Sequence, residues 1–415
     1  MKKVLFMCLA LVLTSSIVAS GAIMAPQKKC SCSENCSDQN VSAQVYQEKA
    51  STMPSDNIGI DIKSKSAFLV EANSGRVLFS KEADKQLPIA SMVKITTLAV
   101  IYDALASGEI DLDQMVMVSP TASGMGGSQA FLDFDNEYKV DELIKSIIVA
   151  SANDSCVALA EQIAGSETEF VNRMNALATR LGMVNTNYVN CTGLPAVGAY
   201  STAGDVAKVY AYMMQSPYYG IHEKVWMYDL THPSGRVTGL TNTNRHARFF
   251  DGITGGKTGF TAEAGHCISV SATRGNLRPI AVIIGAPDSK TRFYESGKLM
   301  EYVFGSYQNE LIVSRNTVLA IAKVRGAFQD KVELFAKTNY YDLVKKGDKS
   351  KPEVKVVVNE EIRAPFTTND AMGKVVVTRE GKVIAEIDLV SGSDVAQLDY
   401  WGAVKKVVGQ FKLAG

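Results

Sequence analysis

Two regions of β-strand pattern flank a long helical region in this chain of 415 residues. Residues 67–79 read as a hairpin around the turn Asn73-Ser74-Gly75, and strand pattern returns at 267–272 and 280–285, on either side of an Arg274-Gly275-Asn276 turn. We therefore predict an α/β (α+β) domain in which strands from both ends of the region form one antiparallel sheet. Helices cover this sheet, and a cleft separates it from a helical lobe.

The region between the strands has helical periodicity. Ser166 and Glu169 form a capping box, which predicts a helix start at this point. A further helix is predicted to follow Asp205. The apolar faces of the four predicted helices are Ile95, Leu98, Tyr102 and Leu105; Leu143, Ile144, Ile147 and Ile148; Phe170, Met174, Leu177 and Leu181; and Val206, Val209, Tyr210 and Met213.

After about residue 306 the pattern changes to short alternating strands. Val354, Val356 and Val358 alternate with charged or polar residues, and 375–389 read as a hairpin around Arg379-Glu380-Gly381-Lys382. The sequence thus predicts a large domain over residues 57–306 and a small β domain over 310–393.

The first 22 residues have the features of a secretory signal peptide: Lys2 and Lys3, an apolar run, and small residues at 19–22. An uncleaved membrane anchor is the alternative. Residues 23–56 are polar and predict a flexible tether, whose Cys30, Cys32 and Cys36 either oxidise or, as a second possibility, bind a metal. Cys156, Cys191 and Cys267 lie in apolar or turn surroundings and are predicted to be buried. We expect the protein to act outside the cytoplasm.

Residues 395–415 carry a basic amphipathic stripe. Trp401, Val404, Val408 and Phe411 follow helical spacing, with lysines beside them. A helix on a membrane surface and a helix docked on its own domain both have this pattern, so the stripe alone does not decide between them.

The charge composition excludes one class of partner and limits one class of chemistry. Lys and Arg number 43 and are balanced by 43 Asp and Glu, so the chain lacks the basic excess of a nucleic-acid-binding protein. Four histidines leave little material for a histidine-based metal site or a histidine-dependent triad.

Three short motifs carry the candidate chemistry. In Ser91-Met92-Val93-Lys94 the i,i+3 spacing on a helix lets the amine of Lys94 reach the hydroxyl of Ser91, and a lysine with a lowered pKa can activate a serine. Ser151-Ala152-Asn153 lies between two helices, where a hydroxyl and an amide can project into a cleft, although N-capping explains such residues equally well.

The third motif, Gly256-Lys257-Thr258-Gly259, precedes the strand around Cys267. It offers a cation, a hydroxyl, and glycines that allow a peptide to approach and pair with the strand. A glycine-rich hairpin corner is the alternative reading. The order of the three motifs, on helix, turn and strand, is more specific than any one of them.

Together these residues resemble the penicillin-binding and serine β-lactamase superfamily, and most closely its low-molecular-mass penicillin-binding proteins, which are serine-type D-alanyl-D-alanine carboxypeptidases. The resemblance extends over nearly the whole chain after residue 58. It rests on residues 87–97, Met125-Gly126-Gly127-Ser128-Gln129, residues 149–155, Tyr200-Ser201-Thr202-Ala203 with Asp205, and residues 255–261.

The resemblance implies a role for each position. Ser91 would form an acyl-enzyme with a peptidoglycan stem peptide ending in D-Ala-D-Ala, Lys94 would be the base, and Ser151 would pass a proton to the departing D-alanine. β-Lactam antibiotics would acylate Ser91, and no cofactor or metal is implied. Substrate would bind at Asn153, Lys257, Thr258, Gly259 and Phe260, with the N–H groups of Ser91 and Phe260 as the oxyanion hole.

Some features depart from that family. Phe260 stands where some relatives have a polar residue, which is expected to weaken binding of the substrate carboxylate. The segment between Arg245 and Lys257 is a few residues shorter than is usual in the family. In relatives it contains an arginine that helps to bind the substrate carboxylate. Here Arg245 is the candidate for that role and Arg248 its competitor. Two rival functions are a class A β-lactamase, for which Glu169 with Asn172 would serve deacylation, and a non-catalytic wall-binding protein.

Overall fold

The computed structural model describes residues 59–412, with side chains up to Lys406. Predictions on the signal peptide and on Cys30, Cys32 and Cys36 lie outside the described residues. The large domain contains, in chain order, β1 Ser66–Glu71, β2 Arg76–Lys81, α1 Lys94–Ser107, β3 Met115–Met117, α2 Pro120–Ser123, β4 Glu137–Lys139, α3 Val140–Ala150, α4 Asn153–Ala164, α5 Glu167–Arg180, α6 Ala203–Met213, β5 Met227–Thr231, β6 Val237–Thr241, α7 His246–Phe249, β7 Ile253–Thr261, β8 Gly265–Ala272, β9 Pro279–Ala286 and α8 Ser289–Ser306.

The main sheet has five antiparallel strands in the order β2-β1-β9-β8-β7. Ala67 of β1 pairs with Ile283 of β9, so strands from the two ends of the domain are neighbours. This confirms the predicted assembly of the sheet. Strand β7 forms one edge of the sheet.

Both faces of the sheet are buried, because neighbouring residues of a strand point to opposite faces. Phe68 and Val70 join the core of the helical lobe, whereas Ala67 and Leu69 pack with α8 in a second core. Such strands have continuous apolar runs, as at 67–70 in β1 and 279–284 in β9.

Helix α1 is the central helix of the lobe. The predicted face of Ile95, Leu98, Tyr102 and Leu105 is buried, but so is nearly every other side chain of the helix. The stretch Ala90–Ser107 is apolar and long enough to cross a bilayer, but its burial within the fold identifies it as a core helix.

Two predicted helix starts differ from the observed ones. Ser91 lies in a 3₁₀ turn, Ala90–Val93, and the α-helix begins only at Lys94. Helix α6 begins at Ala203, two residues before Asp205, because the Thr202 hydroxyl caps it by accepting a bond from the N–H of Asp205 (3.1 Å). By contrast, Ser166 caps α5 through the N–H of Glu169 at 3.2 Å, as the sequence predicts.

The β domain follows α8 without a linker. Its elements are β10 Tyr307–Val313, β11 Ala320–Arg325, β12 Lys331–Ala336, β13 Tyr340–Lys345, β14 Glu353–Val358, β15 Ile362–Arg363, β16 Ala371–Arg379, β17 Lys382–Ser391 and the terminal helix α9 Tyr400–Lys412. Six strands form one sheet in the order β14-β16-β17-β12-β11-β15, and β10 pairs with β13.

The hairpin of β16 and β17 turns at Glu380 and Gly381, as predicted, and Ile387 and Leu389 point into the core. The predicted alternation in β14 is less clear, because Val354 at this sheet edge is 44% exposed. The β domain and the large domain share buried contacts: Tyr307 and Leu343 belong to the same core as α8, and Arg76 Nη1 donates to the carbonyl of Leu343 at 3.2 Å.

Candidate active site

Ser91 and Lys94 lie at the junction between the 3₁₀ turn and α1. The Nζ atom of Lys94 lies 3.1 Å from the Oγ atom of Ser91, the hydrogen-bonded contact that the i,i+3 spacing predicts. Ser91 is partly exposed to the cleft, whereas Lys94 is fully buried. A nucleophile open to substrate thus stands beside an amine shielded from water.

The surroundings of Lys94 favour the neutral amine. Its Nζ atom also donates to Asn153 Oδ1 (2.6 Å) and to the carbonyl of Thr192 (2.5 Å), and neither acceptor carries a charge. Burial lowers the pKa of Lys94, and more distant groups, among them Asp154, oppose that shift only in part. Because only the neutral amine can accept a proton, the lowered pKa suits Lys94 to act as a base.

Ser151 and Asn153 face the same point from the turn between α3 and α4. Ser151 has a left-handed backbone (φ 64°, ψ 34°) that ends α3, and Asn153 begins α4. The main-chain N–H of Asn153 donates to the carbonyl of Ser128 at 2.7 Å, and its Nδ2 donates to that of Gly126 at 2.6 Å. The 125–129 motif is thereby tied to this turn.

Lys257 and Thr258 come from the edge strand β7 on the opposite side. Lys257 Nζ donates to Ser151 Oγ at 2.7 Å, and Thr258 Oγ1 donates to Thr243 Oγ1 at 2.8 Å. Burial, followed by the nearby Lys94, lowers the pKa of Lys257 well below its usual value. The three motifs therefore meet around Ser91, Lys94, Ser151 and Lys257.

Two glycines allow the chain segments around Ser91 to approach closely. A Cβ atom on Gly259 would lie 3.0 Å from the main-chain nitrogen of Ser91 and 2.8 Å from the carbonyl oxygen of Ile89. One on Gly193, which has a φ of +78°, would lie 2.1 Å from the carbonyl oxygen of Ala90. Any larger residue at either position would displace the turn that carries Ser91.

Phe260 and the two candidate arginines lie at the margin of this site. Phe260 is 59% exposed and stacks on His266, with ring centroids 4.4 Å apart. Arg292 donates to the Gly259 carbonyl at 3.0 Å; burial lowers the pKa of Arg292, and the charge of Arg245 lowers it further. Arg248 instead stacks over Trp226 at 5.6 Å.

Three groups in and around the site were not predicted from the sequence. The carbonyl of Thr192 gives no signal, since every residue has one. Arg292 reaches β7 from α8, a contact that is not local in sequence. Asp154 accepts bonds from the N–H groups of Ala130 (3.0 Å) and Leu132 (3.1 Å), and its position directly after the second motif was an available signal.

Glu169 and Asn172, the residues on which the β-lactamase alternative depends, are exposed on α5. Glu169 occupies the first turn of that helix, as its role in capping requires. Among residues 59–412, no cluster of three His, Cys, Asp or Glu side chains is placed to hold a metal ion. Cys156, Cys191 and Cys267 are buried free thiols, as predicted.

A serine hydroxyl paired with a buried lysine, beside a Ser-x-Asn turn and a Lys-Thr-Gly edge strand, defines the class of active-site serine enzymes that react with penicillin. Residues 48–288 match the family model described as D-alanyl-D-alanine carboxypeptidase, and residues 307–397 match that of the penicillin-binding protein 5 C-terminal domain. The chain belongs to this D-alanyl-D-alanine carboxypeptidase family of low-molecular-mass penicillin-binding proteins.

Individual relatives agree with this assignment. The chain is 36% identical to the D-alanyl-D-alanine carboxypeptidase DacF of Bacillus subtilis over 354 residues, which cover 84% of this chain and 90% of the relative. It is 30% identical to DacA of Haemophilus influenzae, over 82% of this chain and 87% of the relative. The structure of penicillin binding protein 5 from Haemophilus influenzae superposes with a TM-score of 0.69 at 28% identity, over 83% of this chain and all of that one.

Proposed function

We propose that this protein is a serine-type D-alanyl-D-alanine carboxypeptidase that removes the terminal D-alanine from peptidoglycan stem peptides through an acyl-enzyme on Ser91. The observation that carries the proposal is the contact between the Ser91 hydroxyl and the buried amine of Lys94. Membership of the family supports the reaction and the substrate class.

In the first half of the reaction, Ser91 Oγ attacks the carbonyl carbon between the two D-alanines while neutral Lys94 takes the hydroxyl proton. The main-chain N–H groups of Ser91 and Phe260 stabilise the oxyanion that forms, and the proximity of Gly259 to the nitrogen of Ser91 supports this pairing. The C–N bond then breaks, and Ser151 passes a proton to the departing amine while the Lys94 ammonium returns to Ser151 the proton that it took from Ser91, so that both side chains end as they began. The products of this half are D-alanine and an ester on Ser91.

In the second half, water attacks the ester carbonyl. Lys94 again takes a proton, the C–O bond to Ser91 breaks, and Ser91 Oγ recovers its hydrogen. The shortened peptide leaves with a new carboxylate. A β-lactam forms the same type of ester on Ser91, which makes these antibiotics covalent inhibitors of the protein.

Substrate binding is assigned to the edge strand and its neighbours. The terminal carboxylate binds at Lys257 and Thr258, with Arg245 nearby, and Asn153 binds an amide carbonyl of the peptide. Burial lowers the pKa of Lys257. An arriving carboxylate raises that pKa again, so that binding itself favours the charged ammonium. The peptide backbone adds to β7 as a further strand, because β7 is a sheet edge.

We place the protein outside the cytoplasm, with α9 on the membrane surface. Tyr400 and Trp401 are 76% and 69% exposed at the start of this helix, so they are available to a membrane. Lys406 attaches the same helix to the β domain through Asp330 (2.5 Å) and the carbonyl of Ala327 (2.8 Å). This combination favours a surface helix over a helix whose apolar residues dock on the domain.

The test is to incubate the purified protein with diacetyl-L-Lys-D-Ala-D-Ala and to measure free D-alanine. Wild type is expected to release D-alanine and to be labelled by a fluorescent penicillin, and Ser91→Ala is expected to do neither while keeping the circular dichroism spectrum of wild type. Wild-type protein that releases no D-alanine would refute the proposal. Rapid turnover of a chromogenic cephalosporin would favour the β-lactamase alternative instead.

A further inference from the structure

A pocket opens beside the turn that carries Ser91. Its walls include Ile89, Ala90, Gly193, Leu194, Thr261 and Glu263. The space measures about 440 Å³ including its open mouth. Ala90 precedes Ser91 in the chain, and Thr261 follows the Lys-Thr-Gly motif on the same strand, so the pocket is continuous with the cleft.

The direction of β7 indicates which part of a bound peptide meets this pocket. In the proposed binding mode Thr258 meets the terminal carboxylate, and Gly259 lies against Ser91. Thr261 and Glu263 are therefore further from the carboxylate than the bond that is cut. Strands advance about 3.3 Å per residue, so a position three residues beyond Thr258 lies level with the residue that precedes the two D-alanines.

The chemistry of the walls selects a particular side chain. Ile89, Leu194 and Pro195 offer apolar contact, and Glu263 is the only charged side chain among the described residues that line the pocket. Glu263 is exposed at the rim. The apolar side chains fit an alkyl chain, and the carboxylate, together with the neutral amides of Asn187 and Asn190 that also line the pocket, fits an ammonium group at the end of that chain.

We propose that this pocket is a specificity subsite for the residue preceding D-Ala-D-Ala, and that Glu263 recognises the free ω-amino group of a diamino acid at that position. The proposal rests on the proposed function, because it uses the same bound peptide. The subsite predicts a preference among substrate peptides that the catalytic residues alone do not explain.

The test compares four peptides that end in D-Ala-D-Ala and differ in the preceding residue: lysine with a free ε-amine, Nε-acetyl-lysine, norleucine, and meso-diaminopimelate. For wild type we expect kcat/KM for the free lysyl peptide to exceed that of the acetylated and norleucyl peptides about fivefold, the scale of a solvent-accessible ion pair. The lysyl and diaminopimelyl peptides distinguish the two natural sources of such an amine.

Glu263→Gln is expected to reduce the ratio between the lysyl and norleucyl peptides to near one. Glu360→Gln, which removes an exposed carboxylate in the β domain, should retain the wild-type ratio. Equal rates for all four peptides, or a ratio that Glu263→Gln does not change, would overturn the subsite. If wild type released D-alanine from none of the four, the proposed function itself would fail.

Discussion

The Nζ atom of Lys94 lies 2.6 Å from the Oδ1 atom of Asn153, 59 positions further along the chain. This contact holds the amine in place without adding a charge to its surroundings. A carboxylate in the same position would hold it too, but would stabilise the ammonium form. The amide at residue 153 is thus part of the reason why Lys94 can act as a base.

Asn153→Asp is therefore expected to raise the pKa of Lys94 and to slow acylation at pH 7. Each unit of pKa increase reduces the neutral amine about tenfold at a given pH below the pKa. The rate of labelling by a fluorescent penicillin, measured between pH 6 and 10, should shift to higher pH and recover in part at the alkaline end. Asn172→Asp, at an exposed position on α5, should leave the profile unchanged. An Asn153→Asp profile that is lower but not shifted would contradict this account.

Gly193→Ala should displace the turn that carries Ser91. Both Gly193 and Gly198 have a positive φ, and a Cβ on Gly198 would meet no atom closer than 3.9 Å. The two alanine variants share the cost of backbone strain, about 1 kcal/mol, but only Gly193→Ala collides with the Ala90 carbonyl. We expect Gly193→Ala to lose at least tenfold in penicillin acylation rate, and Gly198→Ala to stay close to wild type. Similar rates for both variants would contradict the role of that close approach.

His246 should make the fold less stable in mild acid. It is buried against Phe250 and Phe293, and burial lowers its pKa to about 4 from 6.5. Because the unfolded chain binds the proton more tightly, stability is lost as the pH falls from 6.5 toward 4. The contribution of His246 at pH 5 amounts to about 2 kcal/mol.

Urea unfolding at pH 7.5 and pH 5.0 measures this contribution. The loss of stability between the two pH values should be about 2 kcal/mol smaller in His246→Gln than in wild type. Comparing the two pH values within each protein cancels the effect of the substitution on packing. An equal loss in both proteins would show that His246 does not titrate in this way.

Deleting residues 400–415 should release the protein from membranes while leaving D-alanine release intact. The cut belongs at residue 400, because Val395 is buried and pairs with Phe366 in the β domain. Sedimentation with anionic vesicles measures the effect. Trp401→Glu should weaken sedimentation, whereas Val184→Glu, which changes an exposed apolar residue of the helical lobe, should not. Unchanged sedimentation of the deletion variant would refute the membrane contact.

Much of the fold could be predicted because the strands and amphipathic helices leave periodic patterns. The hairpin of β1 and β2 and the pairing of β1 with β9 follow from where apolar strands occur in the chain. The all-round burial of α1 could not be predicted, because a helix face describes only local contacts. The start of α1 differed since Ala90 and Ser91 adopt a tighter turn, which depends on packing against Gly193 and Gly259.

In the candidate site, too, side chains with a local sequence signal could be predicted, whereas contacts between distant parts of the chain could not. Ser91, Lys94, Ser151 and Lys257 could be identified because their side-chain chemistry and spacing are unusual in combination. Thr192 could not, since its contribution is a main-chain carbonyl. The choice of Arg245 over Arg248 as the carboxylate ligand stays a prediction, because residue spacing does not show which of them lies nearer the cleft.

Strand β10 begins at the residue that follows the end of α8, so the two domains are joined without a linker. Tyr307 and Leu343 pack into the same core as α8, so the β domain is not hinged on the large domain. Were α9 to rest on a bilayer, as proposed, the cleft would be held at one height above the lipid. Removal of D-alanine would then be confined to the peptidoglycan that lies at this height. A longer β domain would place the cleft, and with it the reaction, further from the membrane.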